Sequence, residues 1–251
     1  MWVTLDERVA VVTLERPPVN AMATQTYLDL AAAFEGLSER DDCSVIVLRS
    51  GSPRAFCAGA DIKEVATLTA EFDERRQRAA RRLFNAILEA RQPVIAAVNG
   101  PALGAGCVLA AVADIVLASE QATFGLPEIN VGRCGGGRHM MRVLPQGIVR
   151  WMYFTGRPLT AAEAHRWGMV REVLPDAAAL DEAAMQLAAE IAGKSPIALR
   201  LAKEALNLVE DAPLVEGYQT EQQFTLRLRD TEDAKEAAAA FVEKRAPRWK
   251  G

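Results

Sequence analysis

The chain has 251 residues, half of them apolar and a quarter charged, with a formal net charge of −4. That size and balance allow a full hydrophobic core, as one large domain or one domain with an appendage. Its dispersed basic residues exclude an electrostatic footprint for nucleic acid, and no apolar stretch reaches membrane-spanning length without a charge or a turn.

The opening segment MWVTLDERVAVVTLERP puts acidic residues ahead of its apolar run and has no small-residue cleavage site, so it does not read as a signal peptide. VAVVTLE (9–15) is β-branched and of strand length, and RPPVNA closes it as a turn. From Thr24 to about Arg40 apolar residues recur at helical spacing through Leu28, Ala31, Ala32 and Phe34. VIVLRS (45–50) is a continuous apolar run, the mark of a buried strand in a mostly parallel sheet. GSPRAFCAGADIKEV (51–65) reads as a loop entering a helix.

A charged amphipathic helix follows from about Asp73 to Arg91. Arg75, Arg76, Arg78, Arg81 and Arg82 interleave there with Glu71, Asp73 and Glu74, which reads as a solvated face. VIAAV (94–98) is a further buried strand, then come a glycine-rich turn, an apolar helix to Val112 and the strand IVLA (115–118). Asp114 reads as an anchor for the start of that strand. Thr160 and Glu163 form a capping box.

Beyond Leu174 the chain turns alanine-rich and helical in ALDEAAMQLAAEIAG, SPIALRLAKEALNLVED and TEDAKEAAAAFVEKR. The second of these has Ser195 as N-cap and Pro196 at the first helical position. The expected organisation is an α/β core over 1–174 and a helical region over 175–251 that covers the sheet and associates with copies of itself. Cys43, Cys57, Cys107 and Cys134 form no C-x-x-C pair and have no histidine at ligand spacing. The expectation is reduced thiols in a cytoplasmic protein with no metal site, Cys134 serving as a small polar filler.

NGPALGAG (99–106) follows a strand and opens a helix, where backbone N–H groups point free and favour negative charge. It lacks the Gly-Lys-Ser/Thr of a P-loop, and Gly100, Gly104 and Gly106 are not spaced as G-x-G-x-x-G. CAGAD (57–61) puts the Ala60 N–H just ahead of a second helix start. Two such donors aimed at one point hold an oxyanion such as a thioester enolate. The competing reading is steric: two close-packed helix starts that need small residues.

RPPVNAM, AFCAGADIKE, PVIAAVNGPALGAGC, ADIVLAS, ATFGLPEINVG, FTGRPLTAAEAHRWGMV and TEDAKEAAAAFVEKRAPRW, in this order, resemble the crotonase family of enoyl-CoA hydratases and isomerases over nearly the whole chain. The resemblance implies a crotonase-like ββα spiral core with a C-terminal helical trimerisation region, assembly as a homotrimer or homohexamer, and an acyl-CoA or enoyl-CoA thioester as ligand. CoA would arrive as part of the substrate, with no separate cofactor and no nucleic-acid or membrane partner.

The resemblance assigns the oxyanion hole to the N–H groups of Ala60 and Ala105, each worth about 3 kcal/mol in the transition state. Ala105 stands where glycine is usual and keeps the donor unless φ must be positive. Ala58, Gly59, Asp61 and Ile62 fall where the family holds the CoA moiety, and Gly104 and Gly136 where backbone approaches substrate. Phe241 and Lys244 match contacts made to the CoA of a neighbouring subunit.

Hydratases of the family bracket a water between two glutamates. The second is Glu128 in FGLPE; the first position is Val108. A single base suffices to move a double bond, so Glu128 beside Val108 points to an isomerase. The alternatives are a hydratase with another water-holding group and a catalytically silent acyl-CoA-binding protein. Around Gly136, the residues Arg133, Cys134, Arg138 and His139 replace more neutral ones, which suggests a cyclic or carboxylated acyl group. His139 reads either as packed or as reaching the acyl pocket, and His165 as structural.

Overall fold

The computed structural model describes residues 1–67 and 69–251. Strand β1 (Trp2–Asp6) runs antiparallel to β2 (Val9–Leu14), with Trp2 opposite Thr13 and Asp6 opposite Val9. Helix α1 (Thr24–Ser38) leads to β3 (Val45–Ser50), which pairs parallel to β2 with Val9 opposite Val45. Helices α2 (Ile62–Val65) and α3 (Ala70–Leu88) precede β4 (Val94–Val98), which is parallel to β3. The short β5 (Ala102–Leu103) and α4 (Ala105–Ala111) come before β6 (Ile115–Ser119), parallel to β4.

Next are β7 (Thr123–Gly125), a 3-10 turn at Pro127–Val131, α5 (Gly137–Val143), α6 (Gln146–Thr155), β8 (Leu159–Thr160) and α7 (Ala161–Arg166). Strand β9 (Glu172–Leu174) closes the main sheet in the order β1-β2-β3-β4-β6-β9, and β5, β7 and β8 form a second small sheet. Helices α8 (Ala177–Ala192), α9 (Pro196–Val209), α10 (Leu214–Arg229) and α11 (Glu232–Glu243) complete the chain.

The apolar runs of β2, β3 and β4 are continuous because both faces of the sheet are covered. Successive side chains alternate between faces. Ala10, Val12, Ile46, Leu48, Ala96 and Val98 enter the larger core beneath α1, α3 and α4. Val9, Val11, Val45, Val47, Ile95 and Leu117 meet Leu180, Ala184 and Ala188 of α8 on the other face. Each buried valine, leucine or isoleucine contributes about 1.5–3 kcal/mol by leaving water.

On α1 the buried stripe is Tyr27, Leu30, Ala31 and Phe34, which packs against Ala79, Leu83, Phe84 and Ile87 of α3. Helix α3 starts earlier than its apolar spacing predicts. The Thr69 hydroxyl accepts the Phe72 N–H at 3.4 Å, and Glu71 and Asp73 sit in the first turn, where negative charge suits the exposed N–H groups. It stops at Leu88 rather than Arg91, before the Pro93 that leads into β4.

The expected caps are present. Thr160 and Glu163 make a complete capping box, and the Ser195 hydroxyl accepts the Ala198 N–H. Strands β1, β5, β7, β8 and β9 had no counterpart in the sequence reading. Four of them have two or three residues, too few for alternation to show, and β1 is mostly exposed.

Candidate active site

Three chain segments are laced together at one end of the two sheets. Ala102 and Leu103 of β5 pair with Phe124 and Gly125 of β7, and the Gly104 N–H donates to the Gly125 carbonyl at 2.8 Å. On the other side the Leu103 N–H donates to the Cys57 carbonyl at 2.9 Å. The small sheet therefore sets the turn at 104–105 between the 57–61 loop and the turn that carries Glu128.

Ala60 pairs with Met22 as an isolated parallel bridge. That bridge uses the Gly59 carbonyl, which accepts the Met22 N–H at 2.7 Å, and the Asp61 N–H, which donates to the Met22 carbonyl at 2.9 Å. The N–H of Ala60 points the opposite way and has no acceptor among the described residues. Ala105 is the first residue of α4, ahead of the first carbonyl that its helix can use, since the Gly104 carbonyl takes the Val108 N–H at 3.1 Å. Ala105 lies in a helix and not among the positive-φ residues, so its methyl group is accommodated and its N–H is also open.

Glycine is required beside both donors. Gly59 has φ +93°, and a Cβ there would lie 2.8 Å from the Leu103 carbonyl oxygen and 3.7 Å from the Ala105 nitrogen. Gly104 has φ +53°, and a Cβ on it would overlap the Glu128 carboxylate. The Glu128 side chain thus lies directly against the turn that bears the second open N–H.

Glu128 is half-buried, and its Oε2 has no hydrogen-bond partner among the described residues. Burial raises its pKa above the usual glutamate range, with an opposing pull from its own backbone N–H. Val108 is 2% exposed and stands in an apolar wall, where a Cβ on Gly136 would come 2.7 Å from Val108 Cγ2 and 3.0 Å from Leu126 Cδ2. Burial, followed by the charge of Glu128, also pushes up the Cys107 thiol. A carboxyl group held this way exchanges protons with a carbon acid more readily than one fixed in an ion pair.

The remaining sequence-nominated residues divide. Ala58 is half-buried in the loop and Ile62 is exposed at the start of α2. The Asp61 carboxylate caps α2 by accepting the Lys63 N–H at 3.0 Å and takes Arg16 at 2.6 Å, so it holds the loop in place. Phe241 and Lys244 lie at the exposed end of α11, which packs on α10. His139 packs edge-on against Phe84 at 5.4 Å, and burial, with Arg142 and Arg138, lowers its pKa. His165 Nδ1 lies 2.9 Å from the Val170 carbonyl, a structural contact. Asp114 accepts the Val94 N–H at 2.7 Å, between the starts of β4 and β6, and Cys134 is exposed.

Three positions had no signal in the sequence reading. Asn20 has φ +53° and is buried; its amide donates to Ser50 Oγ at 2.8 Å and the Phe56 carbonyl at 3.0 Å, tying the RPPVNA turn to the end of β3 and to the residue just ahead of the 57–61 loop. Tyr27 is buried, and burial, with Cys57 and Glu128 adding, keeps its hydroxyl protonated. Arg76 departs from the solvated face expected for the α3 arginines: Arg75 and Arg78 are exposed, whereas Arg76 turns inward toward Tyr27.

A profile described as enoyl-CoA hydratase/isomerase matches residues 4–251. The chain belongs to this family. A (7aS)-7a-methyl-1,5-dioxo-2,3,5,6,7,7a-hexahydro-1H-indene-carboxyl-CoA hydrolase of Mycobacterium tuberculosis is 39% identical over 244 residues, 96% of this chain and 97% of that protein. The 2,3-dehydroadipyl-CoA hydratase of Escherichia coli is 39% identical over 257 residues, covering 99% and 98% of the two chains. The crystal structure of enoyl-CoA hydratase from Bacillus anthracis superposes with a TM-score of 0.94 at 34% identity, over 99% of each chain. This enoyl-CoA hydratase/isomerase family member therefore has the crotonase fold and is an enzyme of CoA thioesters.

Proposed function

We propose that this enzyme shifts the double bond of an enoyl-CoA from the 3- to the 2-position, with Glu128 as its only acid–base carboxylate. The observation that carries this reading is a half-buried Glu128, its Oε2 without a partner among the described residues, together with buried Val108 at the position where hydratases of the family carry a second glutamate.

The steps follow from the groups present. The thioester oxygen accepts the N–H groups of Ala60 and Ala105. Glu128 removes a proton from C2; the freed electron pair forms the C1–C2 double bond, and the carbonyl π pair moves onto that oxygen. The dienolate is held by the two donors, each worth about 3 kcal/mol. Protonated Glu128 then delivers its proton to C4 and regains its charge. The oxidation state does not change, so the reading needs no cofactor beyond the CoA carried by the substrate. Val108 favours this course by keeping water from the dienolate and by disfavouring the charged form of Glu128.

Hydration is the second reading, favoured by the hydratase names of relatives such as the Escherichia coli protein. We also propose that residues 175–251 serve self-association as a trimer or hexamer, supported by exposed apolar side chains such as Leu214, Tyr218, Phe241 and Val242 on α10 and α11.

The test gives purified protein a 3-enoyl-CoA and a 2-enoyl-CoA in parallel and follows the absorbance of the conjugated thioester. Isomerisation raises it with the 3-enoyl substrate and leaves the 2-enoyl substrate unchanged. Glu128→Gln then lowers the rate by about 10² to 10⁴. A Glu128-dependent loss of absorbance from the 2-enoyl substrate establishes hydration instead. Tight binding with no turnover of either substrate identifies a silent acyl-CoA-binding protein.

A further inference from the structure

The inward face of α3 is apolar through Ala79, Leu83, Phe84 and Ile87 and then changes character. One and two turns toward its N-terminus the same face presents Arg76 and Asp73, whose side chains are only 14% and 24% exposed. Arg76 donates to Asp73 Oδ1 through Nε at 3.0 Å and Nη2 at 2.8 Å. Gln77 donates to Asp73 Oδ2 at 3.2 Å.

A third donor arrives from the Glu128 turn. The Arg133 N–H donates to the Glu128 carbonyl at 2.9 Å, and from there its side chain reaches back so that Nη1 lies 3.4 Å from both Asp73 oxygens. Two guanidinium groups thus share one carboxylate, and one positive charge is left over. The neighbouring arginines do not share this excess: Arg138 pairs with Asp211 at 2.7 Å and Arg142 with Glu210 at 2.7 Å. Arg133 makes only the two long contacts to Asp73 among the described residues, so most of its planar donor edge is unused.

We propose that Arg76 and Arg133 read a carboxylate at the far end of the acyl group, so that the preferred substrate is a CoA thioester of a dicarboxylic acid. This rests on the reading that Glu128 and the two open N–H groups hold the thioester. An acyl chain running past Glu128 has this cluster beside it, because Arg133 links the segment that follows Glu128 to Asp73 of α3. A purely hydrocarbon end would strip water from the surplus charge and return nothing. A terminal carboxylate takes the free donor edge of Arg133 in the paired geometry that guanidinium groups favour.

Binding of saturated thioesters separates this proposal from the chemistry, because these compounds neither isomerise nor hydrate. Titration calorimetry at low salt compares succinyl-CoA with butanoyl-CoA and adipoyl-CoA with hexanoyl-CoA. We expect at least one dicarboxylic member to bind about ten-fold more tightly than its partner, the equivalent of one charge-assisted contact. Arg133→Ala brings that ratio close to one, Arg133→Lys keeps part of it, and Arg133→Glu inverts it. Arg133 is exposed, so these variants fold, which circular dichroism checks. Wild-type protein that does not distinguish either pair, whether all four ligands bind or none does, overturns the proposal. So does a preference that Arg133→Ala leaves intact. Failure of the Glu128→Gln turnover test leaves this result unaffected.

Discussion

Glu128 carries a buried carboxylate oxygen with no partner among the described residues, an arrangement that costs folding free energy and is tolerated where the group has chemistry to do. Burial raises its folded pKa above the ordinary 4.5, so the unfolded chain releases this proton at a lower pH than the folded one does. Ionisation therefore favours the unfolded state once pH climbs past 4.5, and the destabilisation is complete above the folded pKa. Glu128→Gln keeps the shape and cannot ionise. It should melt with wild type at pH 4 and about 1–2 °C above it at pH 8, a small gain because the group is partly solvated. Equal melting curves at both pH values would mean that water or a shifted side chain satisfies the carboxylate. The FGLPE motif exposed Glu128 to sequence reading. Nothing marked Arg76: it sits among five arginines of similar spacing, and only the rotation of α3 against α1 turns one of them inward.

At the scale of elements, Lys203 fastens α9 to the core, beside Asn207, which donates to the Leu88 carbonyl at 2.8 Å. Lys203 Nζ donates to Asp114 at 2.7 Å, to the Gln92 carbonyl at 3.1 Å and to the Ile87 carbonyl at 3.3 Å. Burial lowers its pKa, and Asp114 pulls the other way. Lys203→Ala takes the ammonium from the two carbonyls and leaves Asp114 with the Val94 N–H alone, and should cost about 1–3 kcal/mol, read from the urea midpoint. An unchanged midpoint would show that solvent replaces the ammonium group. Helix α1 was legible through its apolar spacing and β3 and β4 through their unbroken apolar runs, whereas the 16-residue α10, with few apolar positions, had no counterpart in the sequence reading. The two-residue β5 and β8 were not legible, although β5 and β7 bring Gly104 and Glu128 together.

Across the whole molecule, both faces of the main sheet are covered within one chain, while α10 and α11 leave Leu214 and Phe241 87% and 86% exposed. Apolar surface of this kind is characteristic of an interface between copies. Light scattering should return three or six times the 27.2 kDa of the chain. A monomer would refute the proposed role of residues 175–251. No described helix is long and apolar enough to cross a membrane.

By itself the sequence determined the family, the order of the principal strands and helices, the caps at Thr160 and Ser195, and the two alanines and one glutamate nominated for the site. These are local patterns, set by spacing along the chain. Tertiary structure alone decided that the 57–61 loop and the turn at 104–105 lie side by side, that Glu128 lies against Gly104 with its Oε2 unpartnered among the described residues, and that Arg76 and Arg133 meet at Asp73. Each depends on segments far apart in sequence, and which polar groups are left unpaired is fixed only when those segments close on one another.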